Sequence, residues 1–259
     1  MSEPQLTYYQ IADRVTAFSS TRHGGVGQGN YGTFNVNRYC GDTPETIAEN
    51  RSSLCKLLDI SDDHLVMPHQ VHGTGITQIG PTFFLLSEEI RQTALEGIDA
   101  LMTNLPGVCI GVSTADCIPI IIYDSEHHAA SVVHSGWRGT VANIAEAAVA
   151  SMQAAYHSRP EAMKAVIGPG ISLKNFEVGD EVYEAFSDAG YPMDEIARRD
   201  EKWHIDLWRC CQLQLEATGI PSGQIEVSGI CTYDRVDDYF SARRLGVDSG
   251  RILTGVVLR

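Results

Sequence analysis

Short apolar runs of strand length are interleaved with stretches of helical periodicity in no steady rhythm, and this constrains the fold more than any other feature. The strand candidates are residues 15–19, 65–67, 75–79, 100–102, 108–113, 118–123, 130–134, 165–167, 224–227 and 252–258. Some alternate apolar and polar residues, as half-buried strands do, and others are continuously apolar, as strands covered on both faces are. Thr43 followed by Pro44 forms an N-cap with proline at the first helical position. Ile47, Leu54, Leu57 and Leu58 then recur at helical spacing, predicting a helix to about Asp59. A second helix is expected after Gly139, capped by Thr140, with Ile144, Ala148, Val149 and Met152 on one face. Two more are expected over 179–189 and 206–218, the latter capped by Asp206. A doubly wound parallel sheet needs a steadier strand–helix alternation. The expectation is therefore one α+β domain over residues 1–259 with a layered, mixed sheet.

A chain of 259 residues buries a substantial core without staples. Its seven cysteines are odd in number and suit a reducing compartment better than a disulfide framework. Cys55, Cys109, Cys210 and Cys211 read as buried small hydrophobes. A formal net charge of −14 argues against a nucleic-acid or anionic-membrane partner, though a local basic pocket for a small anion is compatible with it. No basic stretch followed by an apolar run opens the chain, and the apolar runs near 108–112 and 118–123 are too short to cross a bilayer. The expected location is cytoplasmic. No oligomerisation stripe stands out, so the oligomeric state stays open.

Three segments place unusual residues beside strand ends. Residues 68–73 (PHQVHG) follow a short strand, 113–117 (STADC) separate two strands, and 133–139 (VHSGWRG) join a strand to a helix. Polar groups among small residues suit a pocket floor better than a core. His72, Cys117 and His134 are candidate metal ligands, because imidazole and thiolate together suit zinc or copper and three ligands leave a position open. The spacings are long, and no CxxC or HExxH motif is present. The same residues also fit a metal-free pair with Cys117 as nucleophile and His134 as its base, or satisfied core histidines beside an inert thiol. Spacing does not separate these readings. Upstream, Gly24 and Gly25 in the loop 21–29 permit left-handed backbone and close approach to a ligand.

The runs TRHGGVGQGNYGTFNVN, GDTPETIAENR, HQVHG, STADCIPI, VVHSGWRGT, IGPGIS, CTY and FSARR resemble, in that order, one known family. It is the multicopper polyphenol oxidase or laccase-domain family, also called the YfiH or peptidoglycan-editing-factor type and the purine nucleoside phosphorylase family. The resemblance extends from about Thr21 to Arg251. It implies a layered α/β/β/α fold with mixed sheets, related to a toxin deamidase with a Cys–His pair. It also implies a metal held by the His of QVHG, the Cys of ADC and the His of HSGWRG, here His72, Cys117 and His134. The implied metal is zinc, with copper behind the older name, and His69 is a further candidate ligand at a variable position. The implied activity is phosphorolysis of adenosine, inosine, guanosine or methylthioadenosine, with deamination of adenosine. Two departures stand out. Residues 37–42 (NRYCGD) lack a His that the family often has, and Ala242 stands where an aromatic residue usually precedes the arginine pair.

On this resemblance Cys117, His134 and Asp116 are the catalytic candidates. Asp116 is expected either to shuttle a proton to departing ammonia or only to brace its loop. Phosphorolysis requires guanidinium groups for phosphate, for which Arg22, Arg138 and Arg243 are the candidates. Trp137 is expected to stack on a base or to anchor packing, and Asn35 and Gln70 to line the pocket or to fix backbone. The alternatives are a copper phenol oxidase, a metal-free Cys–His hydrolase, and a non-catalytic protein that senses a nucleoside or cell-wall fragment around a structural metal. A multicopper oxidase needs more histidine than the 9 present comfortably supply.

Overall fold

Strands that are apolar at every position need cover on both faces, and here they lie at the centre of two packed sheets. The computed structural model describes residues 3–259. Its strands are β1 (Leu6–Tyr9), β2 (Val15–Ser20), β3 (Leu65–Val66), β4 (Ile76–Gln78), β5 (Ala100–Thr103), β6 (Cys109–Thr114), β7 (Ile118–Asp124) and β8 (Ala129–Ser135). The remainder are β9 (Met163–Ile167), β10 (Glu177–Val178), β11 (Ala197–Arg199), β12 (Trp203–Ile205), β13 (Ile225–Val227) and β14 (Ile252–Leu258). One sheet has the order β1-β2-β14-β6-β3 and the other β13-β9-β7-β8-β5-β4, while β10-β12-β11 form a small third sheet. Both large sheets are mixed: β3–β6, β13–β9 and β4–β5 are parallel, and the central pairs antiparallel.

The helices are α1 (Pro44–Leu57), α2 (Glu88–Ala94), α3 (Trp137–Val141), α4 (Ile144–Tyr156), α5 (Asp180–Asp188), α6 (Met193–Ile196), α7 (Leu207–Ala217) and α8 (Ala242–Leu245). Side-chain alternation along the strands sets the layers. Ile118, Ile120 and Ile122 of β7 pack with Ala148 and Met152 of α4 and Leu215 of α7. Ile121 of the same strand faces the other way, joining Ile110, Val112 and Val256 between the sheets. On the far side Phe18, Leu253 and Val257 are covered by Leu54 and Cys55 of α1. The order is α/β/β/α, as the resemblance implies. Each fully buried aliphatic side chain contributes about 1.5–3 kcal/mol to holding the layers together.

The helix caps at Thr43 and Asp206 form as expected, each side chain accepting a backbone N–H three residues on. Thr140 is no cap. Gly136 is already the N-cap of α3, and the Thr140 hydroxyl instead donates to the Gly136 carbonyl at 2.9 Å. Asn143, in the left-handed region at φ 57°, then separates α3 from α4 where one helix was expected. The elements missing from the sequence reading are β1, β10, β11, β12, α2, α6 and α8. They are short, and α2 buries none of its residues, so no apolar stripe marks it. Among the described residues no helix is long and apolar enough to cross a membrane.

Candidate metal centre

Strand register brings the key residues to one end of the six-stranded sheet. Antiparallel pairing sets Ile118 against Ser135 and Pro119 against His134, so Cys117, just before β7, lies beside the end of β8. Pairing of Ala100 with Val133, and a 2.7 Å bond from the His134 N–H to the Asp99 carbonyl, put Asp99 there as well. The loop after β3 completes the group with His72. One ligand atom each from His72, Cys117 and His134 lies within 4.8 Å of the others, and the two imidazole rings meet edge-on at 4.8 Å. His134 is buried, Cys117 intermediate and His72 exposed, so the group is closed beneath and open above.

Asp99 was not singled out from sequence. Its side chain is wholly buried, and Oδ1 lies 2.7 Å from His134 Nδ1. Hydrogen bonds from His134 and from the Gly73 and Val71 amides outweigh burial and keep this carboxyl below its ordinary value. Against a carboxylate Nδ1 must be the donor, which leaves the other ring nitrogen to face Cys117. The signal available in the sequence was a charged residue directly before an apolar strand, where only a compensated charge is tolerated. Gly136 is the second missed residue. A Cβ there would stand 2.8 Å from His72 Cδ2 and 3.1 Å from Cys117 Sγ, so the close approach requires glycine.

Burial opposes ionisation of the Cys117 thiol, but the His134 imidazole, with His72, more than offsets it and holds the pKa below the usual thiol value. Burial likewise opposes protonation of His134, yet the Cys117 thiolate and Asp99 raise its pKa. The pair favours thiolate with imidazolium, the ligand form of sulfur. Cys55, Cys109, Cys210 and Cys211 behave oppositely, burial pushing each thiol up. In tetrahedral zinc sites with bonds of about 2.0–2.3 Å, ligand atoms stand roughly 3.4–3.7 Å apart. The three ligand atoms lie within 4.8 Å of one another, the sulfur is disposed to ionise, and a carboxylate fixes one imidazole from behind. The residues fit such an ion.

The chain matches over residues 16–259 the family described as multi-copper polyphenol oxidoreductase laccase. It belongs to that family. The purine nucleoside phosphorylase of Bacteroides thetaiotaomicron is 45% identical over 247 residues, covering 94% of this chain and 92% of the relative. Adenosine deaminase RL5, from an unknown prokaryotic organism, is 40% identical over 257 residues, covering 97% of each. The crystal structure of YlmD from Geobacillus stearothermophilus superposes with a TM-score of 0.91 at 28% identity, covering 100% of both chains.

In this laccase-family chain the cluster opens into a cavity of about 700 Å³, within the range of small-molecule sites. Its lining includes Tyr39, His69, Gln70, Trp137, Phe176 and Arg243. Gln70 lines the cavity and clasps Ser113, donating to its carbonyl at 2.8 Å and accepting its N–H at 2.7 Å. His69 also lines it but stands outside the ligand cluster, its Nδ1 2.7 Å from Glu96 and its ring stacked on Tyr39 at 4.1 Å. Asp116, at φ 91°, accepts from Thr232 Oγ1 and from the Arg243 N–H, both at 2.7 Å, so each oxygen braces a loop.

Three expected pocket residues point elsewhere. Arg22 donates to the Gly32 and Val236 carbonyls at 2.9 and 2.8 Å and lies over Phe240, outside the cavity lining. Arg138 is exposed and stacks over Trp137 at 4.2 Å, also outside the lining. Asn35 is fully buried, binding Asp42 and the backbone N–H groups of Asn37 and Arg251. Backbone carbonyls and an adjacent ring claim the two arginines first, and a carboxylate and two backbone amides claim Asn35. Arg243 alone of the expected arginines reaches the cavity, one guanidinium nitrogen donating to the Glu177 carbonyl at 3.0 Å.

Proposed function

We propose that His72, Cys117 and His134 hold one zinc ion, and that the protein is a purine nucleoside phosphorylase that also deaminates adenosine. The observation that carries this reading is the thiolate–imidazole cluster on the floor of a nucleoside-sized cavity, in a chain 45% and 40% identical to proteins named for these two reactions. Zinc bound there would supply Lewis acidity toward a water or a substrate oxygen.

The chain's own residues do the rest. Cys117 would bind as the thiolate, the form that His134 and His72 already favour against burial in the metal-free protein. His134, oriented by Asp99, presents a single nitrogen to the cavity. Arg243 holds phosphate with its remaining donors, beside the apolar wall of Phe176, over whose ring its guanidinium lies at 5.6 Å. Gln70 keeps its loop registered against Ser113, so the cavity floor does not shift as substrate enters. Asp116 is part of the machinery as a brace that ties Cys117 to the Arg243 loop, since both its oxygens are occupied.

Zinc-loaded protein incubated with adenosine should yield adenine with ribose 1-phosphate when phosphate is present, and inosine with or without it. Loss of phosphorolysis alone on removing phosphate separates the two reactions. Product levels no higher than those of Cys117→Ala under all conditions would end this reading. Copper also suits two imidazoles and a thiolate, so copper-loaded protein with a phenol is the matching trial of the oxidase alternative.

A further inference from the structure

All the polar contacts of one buried side chain lead to the candidate centre. Asp99 Oδ1 accepts from His134 Nδ1 at 2.7 Å and from the His72 backbone N–H at 3.0 Å. Oδ2 accepts from the backbone N–H groups of Val71 at 3.2 Å and Gly73 at 2.8 Å. Three successive amides thus converge on a single carboxylate, an anion nest made by the loop itself. The loop needs such a partner. His72 sits at φ 61°, in the left-handed region that disfavours a side chain, and it keeps that conformation only if its surroundings impose it.

Asp99 immediately precedes β5, and its carboxylate has no exposure, so the anchor is rigid. His134, near the end of β8 next door, donates its own backbone N–H to the Asp99 carbonyl. Backbone and side chain of one residue therefore grip both histidines, one through its ring and the other through its main chain. A dication held by one thiolate would leave a surplus positive charge in a largely buried place, and the Asp99 carboxylate would balance it.

We propose that Asp99 is the positioning residue of this centre, setting the tautomer of His134 and the backbone conformation that presents His72 while touching no metal itself. The proposal rests on the reading that the cluster holds zinc. Its test is zinc affinity by chelator competition for wild type and Asp99→Asn, with long-range proton–nitrogen spectra of the zinc-loaded wild type. An amide in place of the carboxylate turns its NH₂ toward two of the four donors whichever way it lies. Zinc binding should weaken about 10–100-fold in the variant. In the wild type His134 should carry its proton on Nδ1.

A purely structural Asp99 would lower the thermal stability of the metal-free variant and leave the zinc affinity of the folded protein unchanged; that result overturns the proposal. So does a His134 protonated on Nε2, a readout that holds even if Asp99→Asn fails to fold. No zinc uptake by the wild type removes the metal reading and this inference together. Unchanged affinity in the variant beside tight binding in the wild type removes this inference alone.

Discussion

Replacing Gly136 by alanine adds one methyl group at the point where the three candidate ligands meet. Gly136 has φ −72° and ψ 165°, which alanine adopts without strain, so the backbone is not the issue. The added Cβ would stand 2.8 Å from His72 Cδ2, 3.1 Å from Cys117 Sγ and 3.6 Å from His134 Cε1. Non-bonded carbons settle at about 3.5–4.0 Å, so the His72 ring must retreat by roughly 0.7 Å or more. His72 is exposed and can swing outward, whereas His134 is buried against Asp99 and cannot. Reduced freedom of the unfolded chain offsets part of the crowding, and folding stability should change by no more than about 2 kcal/mol. A metal site tolerates only about 0.2 Å. Zinc affinity should therefore fall about 10–100-fold, or roughly 1.4–2.8 kcal/mol. Chelator competition reads the affinity, and thermal unfolding of metal-free protein reads the fold. Wild-type zinc affinity in a folded Gly136→Ala protein would refute the ligand geometry.

Thiolate absorbance of metal-free protein, corrected by Cys117→Ala, should titrate below the ordinary thiol range and move upward in His134→Gln. A thiol whose folded pKa is depressed stabilises the fold above its unfolded pKa, and that contribution is lost as pH falls through the folded value. Arg243→Gln should raise KM for phosphate while adenosine deamination persists, because only the main chain of Arg243 bonds to Asp116; equal loss of both reactions counts against a phosphate role. Ile121→Ala, between the sheets, should cost about 2–5 kcal/mol in denaturant unfolding and leave zinc affinity unchanged.

Much of the sheet framework was legible because period and apolarity report burial directly. The run 118–123 reads as a doubly covered strand, and β7 is one. The strand Ile252–Leu258 has the bounds that its apolar run predicts. What depended on pairing across the chain was not legible. Nothing local to Asp99 marks it as the partner of residues 71–73 and 134; that follows only once β5 lies beside β8. The arginines show the same limit from the other side. Arg22 and Arg138 sit in glycine-rich runs that look ready for phosphate, yet Arg22 is claimed by the Gly32 and Val236 carbonyls and Arg138 by Trp137. Which donors remain free is a property of the tertiary structure. Spacing also left the metal and the metal-free pair level, whereas the second imidazole beside the thiolate favours an ion.

On the proposed function, one metal ion held by His72, Cys117 and His134 is required for nucleoside turnover. Titration of chelator-stripped protein with zinc, following both bound metal and adenosine conversion, tests it most directly. Conversion should rise in proportion to zinc and level off at about one equivalent per chain, with His72→Ala shifting the whole curve to higher zinc. Full conversion by stripped protein, or a plateau reached without the metal being retained, would contradict the account.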